Sequence, residues 1–244
     1  MKVIAFNSSP NMDKGKTSLI LKPFLEGMEE AKAGVELFYT RKIKINICTG
    51  EVNCWFKNPG RCYQKDDMNI LYPKLREADI LVFASPIYWD NINGPMKNLI
   101  DRMALPLNGI AYEIRNGHSR LNLPKEFKPK KVVLVSSCGF WEMDNFDPAL
   151  AYFKAFCRTA NYEFAGALLR PHANALARLS NTTESDTGIP DIFEAAKEAG
   201  RQLVNHGKVA GEIFNTISKE LIPLEDYINS LNLYFQQAAA EAKK

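Results

Sequence analysis

The sequence lacks the long apolar run that a membrane-spanning helix requires. No stretch of its 244 residues approaches the roughly 18 consecutive apolar residues needed to cross a bilayer. The first residues also lack the apolar core and the small-residue cleavage site of a secretory signal peptide. We therefore expect a protein that is not attached to a membrane and that stays in the cytoplasm.

Net charge is small and histidine is scarce. The formal net charge is +3, and the chain has 3 histidines. So slight a basic excess does not favour nucleic-acid binding, and the histidines lack the spacing of metal ligands. The hydrophobic fraction of 46% and the charged fraction of 24% are ordinary for a globular protein, which excludes disordered and collagen-like chains.

The chain does contain a regular alternation of strand and helix patterns. Short apolar runs predict five strands, at Val3–Phe6, Val35–Tyr39, Ile80–Ala84, Val132–Val135 and Phe164–Leu169. Helical patterns occupy Thr17–Glu30, Met68–Ala78, Pro95–Met103, Pro148–Thr159, Ile192–Val204, Glu212–Leu221 and Leu224–Ala240. This order predicts an α/β fold with a doubly wound, five-stranded parallel sheet and extra C-terminal helices.

We expect one sheet domain over residues 1–206 and a C-terminal helical extension over 207–244. The last helix carries an apolar stripe of Tyr227, Leu231, Tyr234 and Phe235. Packing into the core is the default interpretation of such a stripe, and a dimer contact is the alternative.

Ligands of parallel sheets bind beyond the carboxyl ends of the strands, so three loops become candidate sites. The first loop places the hydroxyls of Ser9, Thr17 and Ser18 around the start of a helix. Together with free backbone N–H groups, such hydroxyls form an anion site. The alternative is an ordinary N-capped helix after a polar turn.

The same segment imitates a nucleotide-binding P-loop. Residues Pro10 to Thr17 match that motif except that Pro10 replaces the first glycine, whose backbone freedom proline lacks. No later predicted strand ends in the acidic residue of a magnesium site, since Ser85 and Ser136 stand at those positions. A flavin site is therefore favoured over an NTPase site.

The second and third loops contain adjacent aromatic residues. Tyr88 and Trp89 follow an apolar strand, and Phe140 and Trp141 follow the small residues Cys138 and Gly139. A flat ring system with polar edges would bind against such a wall. The alternative is that the aromatics cover the sheet edge or a subunit interface.

These motifs resemble those of NAD(P)H-dependent FMN reductases and iron–sulfur flavoproteins. The resemblance rests on Ser9-Pro10 with Gly15-Lys16-Thr17, and on Ser85-Pro86-Ile87-Tyr88-Trp89 running through Gly94, Lys97 and Asp101-Arg102. It covers residues 1–170 and a helix near Ile192–Leu203. It implies a flavodoxin-like fold that binds FMN and forms a homodimer or tetramer.

The resemblance also implies the cofactor-binding residues. The FMN phosphate is expected at Ser9, Lys16, Thr17 and Ser18, and the isoalloxazine ring at Pro86, Ile87, Tyr88 and Trp89, with Asn91, Cys138 and Gly139 nearby. Asn11 is included in the phosphate loop, but it stands where the family often has arginine. We expect Lys14 or Lys16 to supply the missing cation.

Iron–sulfur flavoproteins carry four cysteines between the second strand and the second helix. Here Cys48, Cys54 and Cys62 follow that pattern, and Glu51 stands in place of the second cysteine. A four-iron cluster normally needs four thiolates, and a carboxylate suits it poorly. We therefore predict no bound metal, with the three cysteines as weak candidate ligands.

The predicted function is that of an FMN-dependent oxidoreductase. It accepts reducing equivalents from NAD(P)H and passes them to a small-molecule or protein acceptor. The flavin supplies the redox chemistry, so no catalytic side chain is assigned. The alternatives are a non-enzymatic flavin electron carrier related to iron–sulfur flavoproteins, and a sheet domain that has lost its cofactor and serves as a binding module.

Overall fold

Five parallel strands form the central sheet in the computed structural model, which describes residues 1–103, 112–122, 128–180 and 188–242. The strands in these ranges are β1 (Lys2–Asn7), β2 (Gly34–Tyr39), β3 (Ile80–Tyr88), β4 (Asn91–Ile92), β5 (Tyr112–Arg115), β6 (His118–Leu121), β7 (Lys131–Ser137) and β8 (Glu163–Arg170). The parallel strands are ordered β2-β1-β3-β7-β8. All five predicted strands are present, and the predicted fold class is confirmed.

The helices in the described part of the chain flank this sheet and follow it. They are α1 (Ser18–Glu30), α2 (Asn53–Phe56), α3 (Met68–Glu77), α4 (Gly94–Met103), α5 (Asp147–Ala160), α6 (Ala173–Leu179), α7 (Ile189–His206), α8 (Gly211–Ser218) and α9 (Leu224–Glu241). None of them is long and apolar enough to cross a membrane.

Two apolar cores lie on opposite faces of the sheet. Alternate residues of β1 serve different cores: Val3 packs with α1 and α7, whereas Ile4 packs with α3, α4 and α5. Since neighbouring residues of a strand point to opposite faces, this arrangement requires helices on both sides. The sheet is therefore doubly wound.

The backbones of α1 and α7 pack directly against each other. A Cβ atom at Gly27 would lie 1.8 Å from the Lys197 carbonyl oxygen, and one at Gly200 would lie 2.1 Å from the Phe24 carbonyl oxygen. No side chain larger than hydrogen fits at either position without moving a helix. The contact fixes α1, whose first residues border the phosphate loop.

Two hairpins were not predicted. Strands β5 and β6 pair antiparallel around Asn116-Gly117, both of which have positive φ angles. Strand β3 continues past the predicted Ala84 and folds back onto β4 through Trp89 and Asp90. Both turns have two residues with positive φ, the geometry that matches the twist of antiparallel strands.

The C-terminal helices differ in how they contact the sheet domain. Ile213 and Ile217 of α8 are buried, and the Phe214 ring packs over Gly166 of β8. In α9 only Tyr227 is buried. Of the predicted stripe, Tyr227 is buried and Leu231 is half-buried, whereas Tyr234 and Phe235 are each 62% exposed, so core packing is wrong for the last two. The domain boundary at residue 206 remains a prediction.

Candidate functional site

The three candidate loops meet because β1, β3 and β7 are neighbours in the sheet. The Ser8 N–H donates to the Ala84 carbonyl at 2.9 Å, and the Ser136 hydroxyl donates to the Ser85 carbonyl at 2.7 Å. Residue Pro86 lies beside Ser137 in the β3–β7 register. The ends of these strands thus form a continuous edge.

Asn7 and Ser18 close the first loop on itself. Asn7 accepts from the Ser9 N–H at 2.9 Å and donates to the Ser18 hydroxyl at 2.9 Å, and Ser18 donates to the Met12 carbonyl at 2.7 Å. A Cβ atom at Gly15 would lie 2.1 Å from the Ser9 hydroxyl oxygen. The loop is therefore compact, and only glycine fits where its two ends approach.

The start of α1 presents unpaired donors. The N–H groups of Lys16 and Thr17 have no acceptor among the described residues, and the same holds for the Ser9 hydroxyl. The Thr17 hydroxyl does not cap the helix, since it is bonded to the Ser137 hydroxyl at 2.7 Å. This argues against the interpretation of an ordinary N-capped helix. Unpaired donors at the positive end of a helix fit a phosphate group.

The predicted phosphate residues differ in their availability. Ser18 uses its hydroxyl to hold the loop, and its N–H donates to the Gly15 carbonyl. The Lys16 side chain is exposed and forms no ion pair with any described residue. Asn11 is exposed too, and its side-chain amide has no partner in the described part of the chain. Ser9, Lys16 and Thr17 therefore have the free groups, whereas Ser18 supports the loop.

Arg41 is a cation at this loop that the sequence reasoning missed. Its guanidinium donates to the Pro10 carbonyl at 2.7 Å. Arg41 follows β2, which pairs with β1 in parallel, so the residue after one strand lies beside the loop after the other. The role of Arg41 could therefore have been predicted only from the order of the strands, which the sequence pattern does not reveal.

The second loop is a strained turn that presents an aromatic side chain. Trp89 is 98% exposed and has a φ of +47°, a backbone conformation that bulky residues rarely adopt. Tyr88 is half exposed, and Pro86, Ile87 and Asn91 are partly accessible. Strain at an exposed aromatic is typical of functional turns. The residues expected at the ring are therefore accessible at the sheet edge.

Buried Asn93 joins the second loop to the first. Its side-chain amide donates to the Ser8 carbonyl at 2.7 Å, and its backbone N–H donates to the Ser85 hydroxyl at 3.2 Å. Asn93 is fully enclosed, so these bonds form in a low-dielectric environment. The sequence reasoning missed this residue because its role depends on contacts that span 85 positions.

The third loop is closed by the Cys138 thiol. Cys138 is buried, and its sulfur accepts the Phe140 N–H at 3.3 Å. Burial raises the pKa of this thiol, which favours the protonated form over the thiolate that a nucleophile requires. Gly139 lies beside it, and its carbonyl accepts a hydrogen bond from the Tyr227 hydroxyl of α9.

A buried arginine connects this loop to the C-terminal helices. Arg170 is fully buried and donates to the carbonyls of Pro171, Ile217 and Lys219 and to the ring of His172. It has no carboxylate partner among the described residues. The His172 ring also stacks on Trp141, with centroids 5.8 Å apart. These contacts attach α8 to the end of β8.

The cysteine segment supplies three thiols and one carboxylate as possible metal ligands. The described residues contain no group of three or more His, Cys, Asp or Glu side chains arranged to hold a metal ion. Glu51, at the position expected for the fourth ligand, accepts the Asn53 N–H at 2.8 Å. Cys48 is exposed, and Cys54 and Cys62 are half-buried free thiols. Whether the segment binds any metal remains a prediction.

An ion pair and its hydrogen bonds hold the base of the cysteine segment. Arg102 pairs with Asp66 at 2.6 Å and donates to the Asn46 carbonyl at 2.7 Å, and both charged side chains are buried. Asp66 also accepts the Asn46 N–H at 2.9 Å. Arg102 and Asp66 thus join the two ends of the loop.

The remaining arrangement fits FMN. The donors at the start of α1 suit a phosphate, and Gly15 permits the close loop around it. The partly exposed apolar and aromatic residues of the second loop lie on the adjoining strand end.

The chain is similar in sequence to known flavoproteins. An iron–sulfur flavoprotein of Archaeoglobus fulgidus is 35% identical over 116 residues, which are 48% of this chain and 55% of that protein. The chain thus spans about half the length of the curated relatives it matches.

Solved structures share the fold. The NAD(P)H:quinone oxidoreductase from Methanothermobacter marburgensis is 19% identical, with a TM-score of 0.57 over 84% of this chain and 98% of the other. An FMN-dependent NADH-azoreductase from Bacillus anthracis in complex with FMN is 15% identical, with a TM-score of 0.58 over 84% of this chain and 100% of the other. At such low identity these likenesses show the flavodoxin-like fold alone.

The family model of NADPH-dependent FMN reductases matches residues 1–151, more than half of the chain. The predicted family resemblance is confirmed, and the description of the family names FMN and NADPH. The chain belongs to the NADPH-dependent FMN reductase family.

Proposed function

We propose that this chain is an FMN-dependent oxidoreductase that takes reducing equivalents from NAD(P)H and passes them to a small-molecule or protein acceptor. We propose further that it works in the cytoplasm as a homodimer or tetramer. One observation carries the assignment: unpaired donors at the start of α1 and exposed aromatics after β3 occupy one edge of the sheet. The family supplies the identity of the cofactor that joins them.

The chain's own residues bind and orient the cofactor. When bound, FMN supplies a ring that accepts a hydride from a nicotinamide and releases electrons to an acceptor. The N–H groups of Lys16 and Thr17 would hold the phosphate, with Ser9 and Arg41 beside them. The turn at Trp89 would border the ring, and burial favours the protonated form of Cys138 by raising its pKa. No side chain is required to transfer a proton in the hydride step.

Anaerobic mixing with NADH and with NADPH tests this proposal. The purified protein is expected to be yellow and to lose its flavin absorbance near 450 nm within seconds of mixing with at least one nicotinamide, as expected for enzymes of ordinary turnover, about 1–1000 per second. Reduction by dithionite but by neither nicotinamide would indicate an electron carrier instead. A colourless protein that does not take up added FMN would indicate a binding module without cofactor.

A further inference from the structure

The C-terminal segment contacts the third loop at two points. The Tyr227 hydroxyl of α9 donates to the Gly139 carbonyl, and the Ile222 carbonyl, just before α9, accepts the Trp141 indole N–H at 3.1 Å. Tyr227 is 1% exposed, so its bond to Gly139 forms away from water. The family model ends at residue 151, so both contacts come from a part of the chain that the family match does not include.

The backbone on either side of Gly139 is held by a different element. The Ala173 N–H donates to the Cys138 carbonyl at 2.9 Å, and the His172 N–H donates to the Phe140 carbonyl at 2.6 Å. Both donors belong to the start of α6. The Gly139 carbonyl lies between these two carbonyls, and its donor among the described residues comes from α9 instead. Helix α9 therefore determines the direction of this one carbonyl.

The bond from Tyr227 fixes more than one atom. The peptide group that joins Gly139 to Phe140 is planar and trans, so its carbonyl and its N–H point in opposite directions. While Tyr227 holds the carbonyl, the Phe140 N–H is directed at the Cys138 sulfur, to which it donates at 3.3 Å. One phenol thus sets the orientation of the Gly139–Phe140 peptide.

Tyr227 is suited to this role because it is itself held in place. Its hydroxyl accepts a hydrogen bond from the Asn174 amide at 3.1 Å, and its ring packs edge-on against His172, with centroids 5.9 Å apart. Burial raises the pKa of the Tyr227 phenol, which favours the protonated form that donates to Gly139.

Gly139 leaves open space where the fold would accept a side chain. A Cβ atom at Gly139 would meet only the Asn174 amide nitrogen among the described residues, at 3.7 Å, which is an ordinary contact. The φ angle of Gly139 lies outside the left-handed region that favours glycine. Gly15 differs, since a Cβ atom there would lie 2.1 Å from the Ser9 hydroxyl oxygen. The packing of the described residues therefore does not require glycine at position 139, whereas a flat ligand lying against this backbone would.

We propose that Tyr227 is a positioning residue of the flavin site, which orients the Gly139–Phe140 peptide against the isoalloxazine ring through its bond to the Gly139 carbonyl. The inference rests on the proposed function, which puts the third loop at the FMN ring. It extends the site from the three loops to a residue of the last helix. Tyr227 acts through Gly139 rather than by contact with the flavin.

Flavin titrations test the effect on the ring. Tyr227→Phe removes the hydroxyl but keeps the buried ring, and it is expected to weaken FMN and riboflavin by the same factor, about twofold to tenfold. The factors should be equal because both flavins carry the same ring, and the visible absorption band of the bound flavin should shift. Tyr234→Phe is the matched control, since Tyr234 is 62% exposed on the same helix, and it should behave as the wild type. Wild-type affinities and spectrum in Tyr227→Phe, or a loss confined to FMN, would overturn the inference.

Gly139→Ala tests the same surface without changing α9. The added methyl group fits the described fold, so the urea midpoint of unfolding should not fall below the wild-type value. It would occupy the space assigned to the ring, so both flavins should bind roughly tenfold or more weakly. Gly211→Ala is the control, because a Cβ atom at Gly211 also has open space around it, at the start of α8. Wild-type flavin affinity in Gly139→Ala would show that no ring lies against this backbone.

Hydrogen exchange of the flavin-free protein separates loop positioning from general stability. Tyr227→Phe is expected to speed exchange of the Phe140 amide severalfold and to leave the buried amides of β1 unchanged. Tyr234→Phe should change neither. Faster exchange at Phe140 with unchanged flavin binding would make Tyr227 a support of the loop alone and would overturn the inference.

The failures of the two proposals are distinguishable. A wild-type chain that binds flavin, but that no nicotinamide reduces, would overturn the proposed donor and leave the role of Tyr227 intact. A wild-type chain that takes up neither flavin would overturn the flavin site and the inference together. Normal reduction of the wild type, combined with wild-type flavin binding in Tyr227→Phe, would overturn the inference alone.

Discussion

The Thr17 hydroxyl lies 2.7 Å from the Ser137 hydroxyl, although 120 positions separate the two residues. Thr17 stands at the start of α1, and Ser137 ends β7. Their buried hydrogen bond fixes the phosphate loop against the third loop before any ligand arrives. Because this hydroxyl leaves the helix uncapped, the backbone donors of the first turn remain free for an anion.

Replacing Ser9 with alanine removes the free hydroxyl of the phosphate loop, so it is expected to weaken FMN far more than riboflavin. A charge-assisted hydrogen bond to phosphate is worth about 1.5–3 kcal/mol, so the loss for FMN should be roughly tenfold or more. Isothermal titration calorimetry of the apoprotein with each flavin measures the two dissociation constants. Thr216→Ala, which removes an exposed helical hydroxyl bonded within its own helix, is the control. Equal losses for both flavins would contradict a phosphate contact.

Arg41→Met is expected to lower FMN affinity and to make it less dependent on salt. The guanidinium lies at the Pro10 carbonyl of the phosphate loop and is exposed, so its interaction with a phosphate is screened by ions. The expected loss is roughly threefold to tenfold at low salt. Lys44→Met removes an exposed cation from the same segment as a control. Identical behaviour of the two variants would leave Arg41 without a role.

Trp89→Gly is expected to stabilise the apoprotein and to impair the flavin site. Glycine adopts a positive φ without strain, which should raise the free energy of unfolding by up to about 1 kcal/mol. Loss of the aromatic should make the bound flavin brighter or release it. Asp90→Gly is the matched control, since Asp90 has a φ of +63° in the same turn. Unchanged fluorescence in Trp89→Gly would assign the indole to a subunit contact instead.

Anaerobically purified protein is expected to contain no four-iron cluster. Cys48, Cys54 and Cys62 supply three thiols, and Glu51 is hydrogen-bonded within its own turn. Iron and acid-labile sulfide analysis measures the cluster directly. About four of each per chain would show that the segment rearranges to hold one. Glu51→Cys is the complementary variant, and gain of iron in that variant alone would indicate a lost cluster site.

Stability is expected to fall as the pH drops from 6.5 towards 4. Burial, and then the charge of Arg170, lower the pKa of His172 to about 4. The unfolded chain binds a proton near pH 6.5, whereas the folded chain resists it, so acid favours unfolding by about 3 kcal/mol in total. Urea unfolding at several pH values measures this slope. His172→Gln should flatten the curve, and exposed His206→Gln should not.

The positions of the strands and main helices followed from apolar periodicity, because buried parallel strands are short continuous apolar runs. The rule that ligands bind beyond the carboxyl ends of parallel strands then located all three candidate loops. The β5–β6 hairpin was missed even though Asn116-Gly117 is a strong local turn signal, because its strands are short and mostly exposed. This hairpin could therefore have been predicted from the sequence.

Other parts of the site could not be derived from the sequence. Arg41 reaches the phosphate loop only because β2 is the outer neighbour of β1. Arginine is usually exposed, yet Arg170 is buried among carbonyls supplied by residues nearly 50 positions later. Asn93 likewise acts through Ser8, on a different strand end. Each of these roles depends on long-range contacts that local patterns do not encode.

The direct backbone contact between α1 and α7 relates the position of Gly27 to that of the phosphate donors at the start of α1. The helix has 13 residues and is about 20 Å long, with the Gly27 contact near one end and the phosphate donors at the other. A methyl group at Gly27 has no room, because it would meet backbone atoms of Lys197. It would therefore displace helix α1 rather than a side chain. A substitution at Gly27 is therefore expected to weaken cofactor binding, because it would shift the helix that carries the phosphate donors at its start.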